Sequence, residues 1–172
     1  MFDVIVIGAG PAGIAAGLSA AENKLKTLVI AQEVTSGIAP DDGFLEANFP
    51  SILKKFTLLS QSGSYLEILP GQEVTALEKN IVTLHVEVKK GTIYYTKSVI
   101  IATGDVHKHP ILFETLTQKD ATGYIKIDAN MQTNIPGIFA VGDACLLAIK
   151  NSATAIATGI HAAASALQFA QK

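Results

Sequence analysis

A glycine-rich segment, GAGPAG at residues 8–13, follows the apolar run DVIVI and precedes a predicted helix. In this context Gly8 allows a tight turn, and Gly10 lets the backbone approach a pyrophosphate. Gly13 lets the helix and the strand pack closely, and the helix N-terminus then faces negative charge. Proline is tolerated early in the helix because its missing N–H has no intrahelical partner there. We therefore expect a nucleotide's phosphates to be bound by Gly8, Ala9, Gly10, Pro11, Ala12 and Gly13.

A carboxylate for a ribose hydroxyl is expected about 20 residues past this motif, and Glu33 lies there. The second strand is predicted to end at Ile30, however, so Ala31 takes the position where that carboxylate is usual. Three alternatives stay open. Glu33 reaches the ribose from the loop, Gln32 or backbone groups replace it, or Glu33 is a solvated loop residue.

Two further segments end buried strands of the predicted sheet, IATG at residues 101–104 and NIPGIFAVGDA at residues 134–144. Ligands of parallel sheets bind at the carboxyl ends of the strands. The carboxylate of Asp143 suits the hydroxyl groups of a ribose or a ribityl chain, since an ionised carboxylate is a strong acceptor. A simple NAD domain needs neither segment. A longer ligand that crosses the sheet edge would use both, and FAD is the obvious candidate.

The hydrophobic patterns predict a right-handed βαβ unit, with strands at residues 4–7 and 27–30 and a helix at 14–21. They also predict a loop at 36–51, a helix at 52–59 and a helix at 153–170. Further strands are expected at 65–69, 98–102, 124–127 and 138–141. An antiparallel meander is expected at 74–77 and 84–88 and after the turn at 90–91. The fold class is therefore α/β: one domain, residues 1–172, with a doubly wound, Rossmann-like parallel sheet and a small antiparallel three-stranded layer.

The amino-acid composition limits the classes of function that the protein can have. Of 172 residues, 49% are hydrophobic and 16% charged, which suggests strands buried on both faces and surface for a partner to cover. The net charge of −2 and the lack of a basic run argue against nucleic-acid binding. The one cysteine fits a reduced, cytoplasmic protein. No signal peptide is expected. Residues 4–20 are nearly uncharged, but their glycine-rich centre argues against a membrane span.

The sequence resembles the FAD domain of thioredoxin-reductase-like flavoproteins, which carry two dinucleotide-binding domains. The resemblance covers nearly the whole chain. It rests on GAGPAG, EANFP (46–50), QEVTALE (72–78), VIIATG (99–104) and GYIKIDANMQTNIPGIFAVGDA (123–144). It implies a glutathione-reductase-type FAD domain of the second group, with FAD as the cofactor and a homodimer as the default assembly.

The resemblance also implies roles for particular residues. The glycine motif would hold the pyrophosphate, Asn48 would lie near the flavin, and the backbone of Val74 would contact adenine. The site would be lined by Ala102, Thr103 and Gly104, and the ribityl chain would be bound by Gly142 and Asp143. The pyrimidine edge of the flavin would be approached by Asn151, Ser152 and Ala153. The family's Arg-Gln-Ala is here Lys150-Asn151-Ser152, which keeps a positive charge and an amide. Where the family has Gly-Gly-Gln after the second strand, this sequence has Ser36-Gly37-Ile38, and the loss of the glutamine weakens the polar contact expected with the flavin.

The chain departs from this family at a shortened junction, about residues 105–122. There the family inserts an NADPH domain with its own GxGxxG and, in thioredoxin reductases, a CxxC pair. This sequence has one GxGxxG and one cysteine. We therefore expect an FAD flavoprotein that acts in redox or electron transfer with an external donor, a separate protein or a small molecule, and without thioredoxin reductase activity by the dithiol mechanism. The alternatives are a non-catalytic FAD-binding module, half of a split reductase, a plain NAD domain or an engineered domain deletion.

Few other side chains are candidates for a redox, catalytic or metal-binding role. Cys145 follows Asp143 closely and is either a redox-active thiol or a small buried hydrophobe. His107 and His109 are interpreted as solvated loop residues, and His85 as part of a strand's solvated face. His161, on the last helix, either contacts flavin or a second subunit or is an ordinary helix histidine. No metal site is predicted, since further ligands are not found.

Overall fold

The computed structural model describes residues 1–34, 43–63, 65–104 and 117–171, without the side chains of residues 43–48. The helices are α1 (Pro11–Glu22), α2 (Gly43–Gln61) and α3 (Ser152–Ala170). The strands are β1 (Phe2–Ile7), β2 (Thr27–Ala31), β3 (Leu66–Pro70), β4 (Val74–Lys79), β5 (Leu84–Val88), β6 (Ile93–Ile101) and β7 (Ile138–Ala140). In the described part of the chain these strands form one sheet in the order β3-β2-β1-β6-β5-β4, with β7 also paired to β6.

Strand β6 joins the parallel and antiparallel parts of the sheet. It runs parallel to β1, with Phe2 opposite Thr96 and Ile7 opposite Ile101. Its other edge pairs first with β5, antiparallel, and then with β7, parallel. We expected two strands here, one in the meander and one at 98–102. The polar pair Thr96 and Ser98 does not interrupt the strand, because both hydroxyls are buried and donate to backbone carbonyls.

Both faces of the central strands are buried, as the apolar composition predicted. In β1, Val4 and Val6 belong to the core beneath α1, α2 and α3. Ile5 and Ile7 belong to a second core, which includes side chains of the antiparallel strands. The α/β fold with a parallel sheet and an antiparallel extension is therefore confirmed, although the antiparallel strands extend the same sheet. No helix in the described ranges is long and apolar enough to cross a membrane.

Helices α1 and α3 pack with their backbones close together. A Cβ atom placed on Gly159 of α3 would lie 2.2 Å from the carbonyl oxygen of Ala12 in α1. Alanines 12, 16 and 162 are buried beside this contact. The small residues of both helices thus bring α3 directly onto the first turn of α1, which is the turn that follows the glycine motif.

Two further predicted elements, besides β6, differ from the structure. Helix α2 begins at Gly43, where we expected a loop to residue 51, and Pro50 lies inside it. Buried Phe49 and Phe56 are two turns apart and continue one apolar face, so packing overrides the local signal of the proline. The strand expected at 124–127 is reduced to single bridges of Ile125 with Lys119 and Cys145.

The contact between α1 and α3 predicts that Gly159→Ala destabilises the fold. In an unobstructed helix this change stabilises by about 1 kcal/mol. Here the new methyl group would overlap the Ala12 carbonyl, so we expect a net loss of about 1–3 kcal/mol. Urea unfolding of the wild-type and variant proteins measures the difference. A gain in stability would contradict the close packing.

Candidate functional site

A groove of about 580 Å³ opens at the carboxyl ends of β1, β2, β6 and β7. Its wall combines the glycine motif with segments that are far apart in the sequence. It is lined by residues 7–12, 30–33, 72–74, 102–104 and 141–143 and by Ala155. The groove therefore brings together most of the residues that the sequence placed at a nucleotide site.

The turn between β1 and α1 requires glycine at two positions. Gly8 has φ +109°, and a Cβ there would lie 2.2 Å from the carbonyl oxygen of Ala102. A Cβ on Gly13 would lie 2.0 Å from the carbonyl oxygen of Gly8. The Gly8 N–H donates to the carbonyl of Ile30 over 2.8 Å. These contacts fix the first turn of α1 against the ends of β2 and β6.

Gly10 is different, because nothing in the described protein requires a glycine there. It caps α1 with φ −75° and ψ −175°, an extended conformation that any residue adopts. A Cβ on Gly10 would meet no described atom within 4 Å. The helix has no side-chain cap and no acidic residue in its first turn. Its N-terminal N–H groups and the positive end of its dipole thus face open space, an arrangement that suits an anion.

Thr103, at the end of β6, lines the same groove. Among the described residues, its Oγ1 is the one buried side-chain oxygen or nitrogen without a hydrogen-bond partner. Leaving a buried polar group unpaired costs roughly 1–3 kcal/mol. A ligand with polar atoms in the groove would provide the missing partner.

Asp143 lies on a short 3₁₀ turn, Gly142–Ala144, and also lines the groove. Its side chain is exposed, and no described group donates a hydrogen bond to its carboxylate. The Gly142 N–H before it donates to the hydroxyl oxygen of Thr158 over 3.1 Å. Sequence reasoning missed Thr158 and the lining residue Ala155, because no local pattern places helix α3 beside this turn.

Another part of the groove is formed by the end of β2 and by residues 72–74, which lead into β4. Gln32 and Glu33 are exposed on its rim, and buried Val74 lies deeper. The backbone bonds from Gly71 to Gln32 and from Gln72 to Ala31 join the two loops. Gln72 and Glu73 also line this part. The sequence prediction omitted them, although they directly precede Val74.

Asn151, Ser152 and Ala153, at the start of α3, do not line the groove, although Ala155 in the same turn does. Asn151 accepts a hydrogen bond from the Thr154 N–H over 2.8 Å and so caps the helix. Lys150 places its Nζ 3.1 Å from the centre of the Tyr124 ring. The amide of Asn151 and the charge of Lys150, which were expected near a flavin, therefore both have partners within the chain. Flavin contacts of Asn151, Ser152 and Ala153 stay a prediction.

Other predicted residues have separate environments. Asn48 lies in α2, but its side chain, like Gly37, His107 and His109, is outside the described residues. The remaining histidines do not line the groove: His85 contacts the side chains of Asn80, Thr83 and Tyr95, and His161 is exposed on α3. Within the described ranges, no three His, Cys, Asp or Glu residues are grouped to hold a metal ion.

Cys145 has the environment of a structural residue. Its side chain is fully buried, and its thiol donates to the carbonyl of Gly142 over 3.2 Å. Burial raises the pKa of the thiol to about 12, despite the opposing charge of Lys150. Cys145 does not line the groove. These observations favour the small buried hydrophobe over the redox-active thiol.

The sequence matches the family described as "Pyridine nucleotide-disulphide oxidoreductase" over residues 2–112 and 43–166. The chain belongs to this family. Thioredoxin reductase from Treponema pallidum is 32% identical over 114 residues, which cover 62% of this chain and 36% of the relative. A monodehydroascorbate reductase of Arabidopsis thaliana is 27% identical over 153 residues, or 86% of this chain and 28% of that protein. The family member described here thus spans only about a third of these relatives' length.

Solved structures of thioredoxin reductases have the same fold. That of Lactococcus lactis superposes with a TM-score of 0.82 and 19% identity, covering 99% of both chains. The ferredoxin-flavin thioredoxin reductase from Clostridium acetobutylicum gives a TM-score of 0.77 and 14% identity, covering 99% of this chain and 97% of that one. The predicted resemblance to a thioredoxin-reductase-like FAD domain is confirmed at the level of family and fold.

The burial of Cys145 predicts its pH behaviour. Its pKa rises from an ordinary 9.0 to about 12 in the folded protein. Between these values the folded state holds the proton that the unfolded state loses. The stability contributed by Cys145 is thus complete below about pH 9 and is lost as the pH rises towards 12, by roughly 1 kcal/mol per pH unit. Urea unfolding near pH 8 and near pH 10.5 should show a steeper loss for wild type than for Cys145→Ala. Equal losses would contradict the burial of the thiol.

Proposed function

We propose that this protein binds FAD in the groove. The observation that carries the proposal is the open, uncapped N-terminus of α1 at Gly10, where neither backbone conformation nor packing accounts for a glycine. A ligand phosphate in front of the helix would account for it, since a side chain there would occupy the phosphate's space. The unpaired hydroxyl of Thr103 and the free carboxylate of Asp143 fit the same ligand, which must offer polar atoms across the whole sheet edge.

The proposed contacts follow the order of groups along FAD. The pyrophosphate would lie at Gly8, Ala9, Gly10, Pro11, Ala12 and Gly13. The adenosine would extend towards Gln32, Glu33 and Val74, and the ribityl chain towards Gly142 and Asp143. An ionised carboxylate at that end would accept hydrogen bonds from ribityl hydroxyl groups. The residues between these ends, Ala102, Thr103 and Gly104, would line the middle of the ligand.

We infer a redox role with an external electron donor. A bound flavin supplies hydride and electron transfer, while the protein supplies binding and orientation. The sequence has one cysteine, so the chain by itself cannot form the paired-cysteine disulfide of a dithiol mechanism. It also has one GxGxxG motif, at the proposed FAD site, and none for a second dinucleotide. The donor would therefore be a separate protein or a small molecule.

The second candidate is a non-catalytic FAD-binding module or half of a split reductase. The features of the sequence that favour it are the single GxGxxG motif and the single cysteine. The donors that reduce the flavin distinguish the two candidates. NADPH, reduced ferredoxin and dithionite should be compared, ferredoxin because a protein of the same fold is a ferredoxin-flavin thioredoxin reductase. Reduction by dithionite alone would favour the non-catalytic module.

We also propose that the protein forms a homodimer and is located in the cytoplasm. Ile149 and Ile160, on and beside α3, are 63% and 48% exposed, and Leu146 is 53% exposed. Such side chains are compatible with a second subunit but do not identify one. Light scattering across a concentration series measures the assembly state.

The freshly purified protein should absorb in the visible range as a flavoprotein. Heat-released cofactor should be FAD, at about one per chain by chromatography, if the groove holds a single ligand. A colourless protein that cannot be reconstituted with FAD would overturn the proposed function. Release of NAD in place of FAD would assign the groove to the alternative dinucleotide.

Gly10→Ser should separate ligand binding from stability. Serine is a good N-cap and fits the extended backbone, so the free energy of unfolding of the apoprotein should stay equal or rise slightly. The added side chain would enter the proposed phosphate space, and FAD affinity should fall by about tenfold or more. Fluorescence titration with FAD and urea unfolding measure the two effects. Unchanged affinity would show that no phosphate lies at Gly10.

A further inference from the structure

Two neighbouring residues of α3 contact two separate segments that line the groove. Thr158 holds the turn of Asp143 through its bond from the Gly142 N–H, 3.1 Å long and buried. Gly159 lies against the first turn of α1, since a Cβ there would be 2.2 Å from the Ala12 carbonyl oxygen. The Thr158–Gly159 pair therefore connects the start of α1 with the 3₁₀ turn.

The hydroxyl of Thr158 is used as both donor and acceptor. It donates towards the carbonyl of Thr154 at 2.9 Å or of Ala155 at 3.0 Å. These acceptors fix its orientation and leave an oxygen lone pair for the Gly142 N–H. Gly142 has φ +60°, and a Cβ there would lie 3.1 Å from the Cβ of Ala12. The turn is thus held between α1 and α3 by one hydrogen bond and close packing.

We propose that Thr158 is a positioning residue, which fixes Asp143 relative to the N-terminus of α1 so that one ligand can contact both. This inference rests on the proposed function. Without the hydroxyl, the buried N–H of Gly142 would have no partner, and the turn would shift to find one. The carboxylate of Asp143 moves with the turn, while the glycine motif, held by β1 and β6, stays in place.

A purely structural role for Thr158 makes a different prediction. Threonine hydroxyls commonly bond to the carbonyl four residues earlier in a helix. Thr57 in α2 does so with Leu53 over 2.9 Å, and no described group donates to its hydroxyl. Thr57→Val removes the same helical hydrogen bond without affecting the groove, so it is the matched control.

The test compares FAD with ADP as probes of flavin-free wild type, Thr158→Val, Thr158→Ser and Thr57→Val. ADP would contact the glycine motif but does not reach Asp143. Thr158→Val should weaken FAD binding by about tenfold and ADP binding by less than about twofold. Thr158→Ser keeps the hydroxyl and should stay near wild type, and Thr57→Val should change neither affinity. If Thr158→Val does not fold, Thr158→Ala, which loses the same hydroxyl, replaces it.

The pairing with Asp143 gives a second readout. If Thr158 acts through this carboxylate, Asp143→Asn should weaken FAD binding, and adding Thr158→Val should weaken it little further. Equal losses for FAD and ADP, additive losses with Asp143→Asn, or no loss for FAD would each overturn the positioning role. Wild type that binds ADP but not FAD, or binds neither, would instead refute the proposed function.

Discussion

The structure depends on the backbone contact around the first turn of α1. No side chain separates this turn from its neighbours: Gly13 lies against the carbonyl of Gly8, Gly8 against that of Ala102, and Gly159 against that of Ala12. Atoms in such contact leave no room for adjustment, so β1, β6 and α3 fix the direction of the helix. A ligand at the N-terminus would then find its N–H groups already oriented, which lowers the entropic cost of binding.

The same rigidity leaves polar groups that the protein does not satisfy by itself. The start of α1 has no side-chain cap, and the buried oxygen of Thr103 has no partner among the described residues. Most buried polar groups in native proteins are paired, so the unpaired oxygen of Thr103 requires an explanation. A ligand that binds only the folded state would supply the partners and stabilise the fold by mass action. The stability of the fold is therefore expected to depend on whether such a ligand is bound.

Much of the fold was predictable from the sequence, because buried parallel strands and the glycine motif have strong local signals. The exceptions have physical reasons. Pro50 indicated a loop, but the apolar face shared by Phe49 and Phe56 continues α2 through it. Strand β6 changes its partner from β5 to β7 along one edge, which residue periodicity does not record. In the site, Gly8 and Asp143 were predictable from motifs, whereas Thr158 contacts its partner only through tertiary packing.

The sheet topology bears on the shortened junction of about residues 105–122. In the family that the sequence resembles, a second dinucleotide domain is inserted there, in the connection between β6 and β7. Those strands pair directly, with Val99 opposite Ile138 and Ile101 opposite Ala140, so the sheet does not depend on the length of this connection. Insertions are tolerated where few backbone hydrogen bonds of the core are affected. The pairing of β6 with β7 is therefore compatible with either a long or a short connection between them.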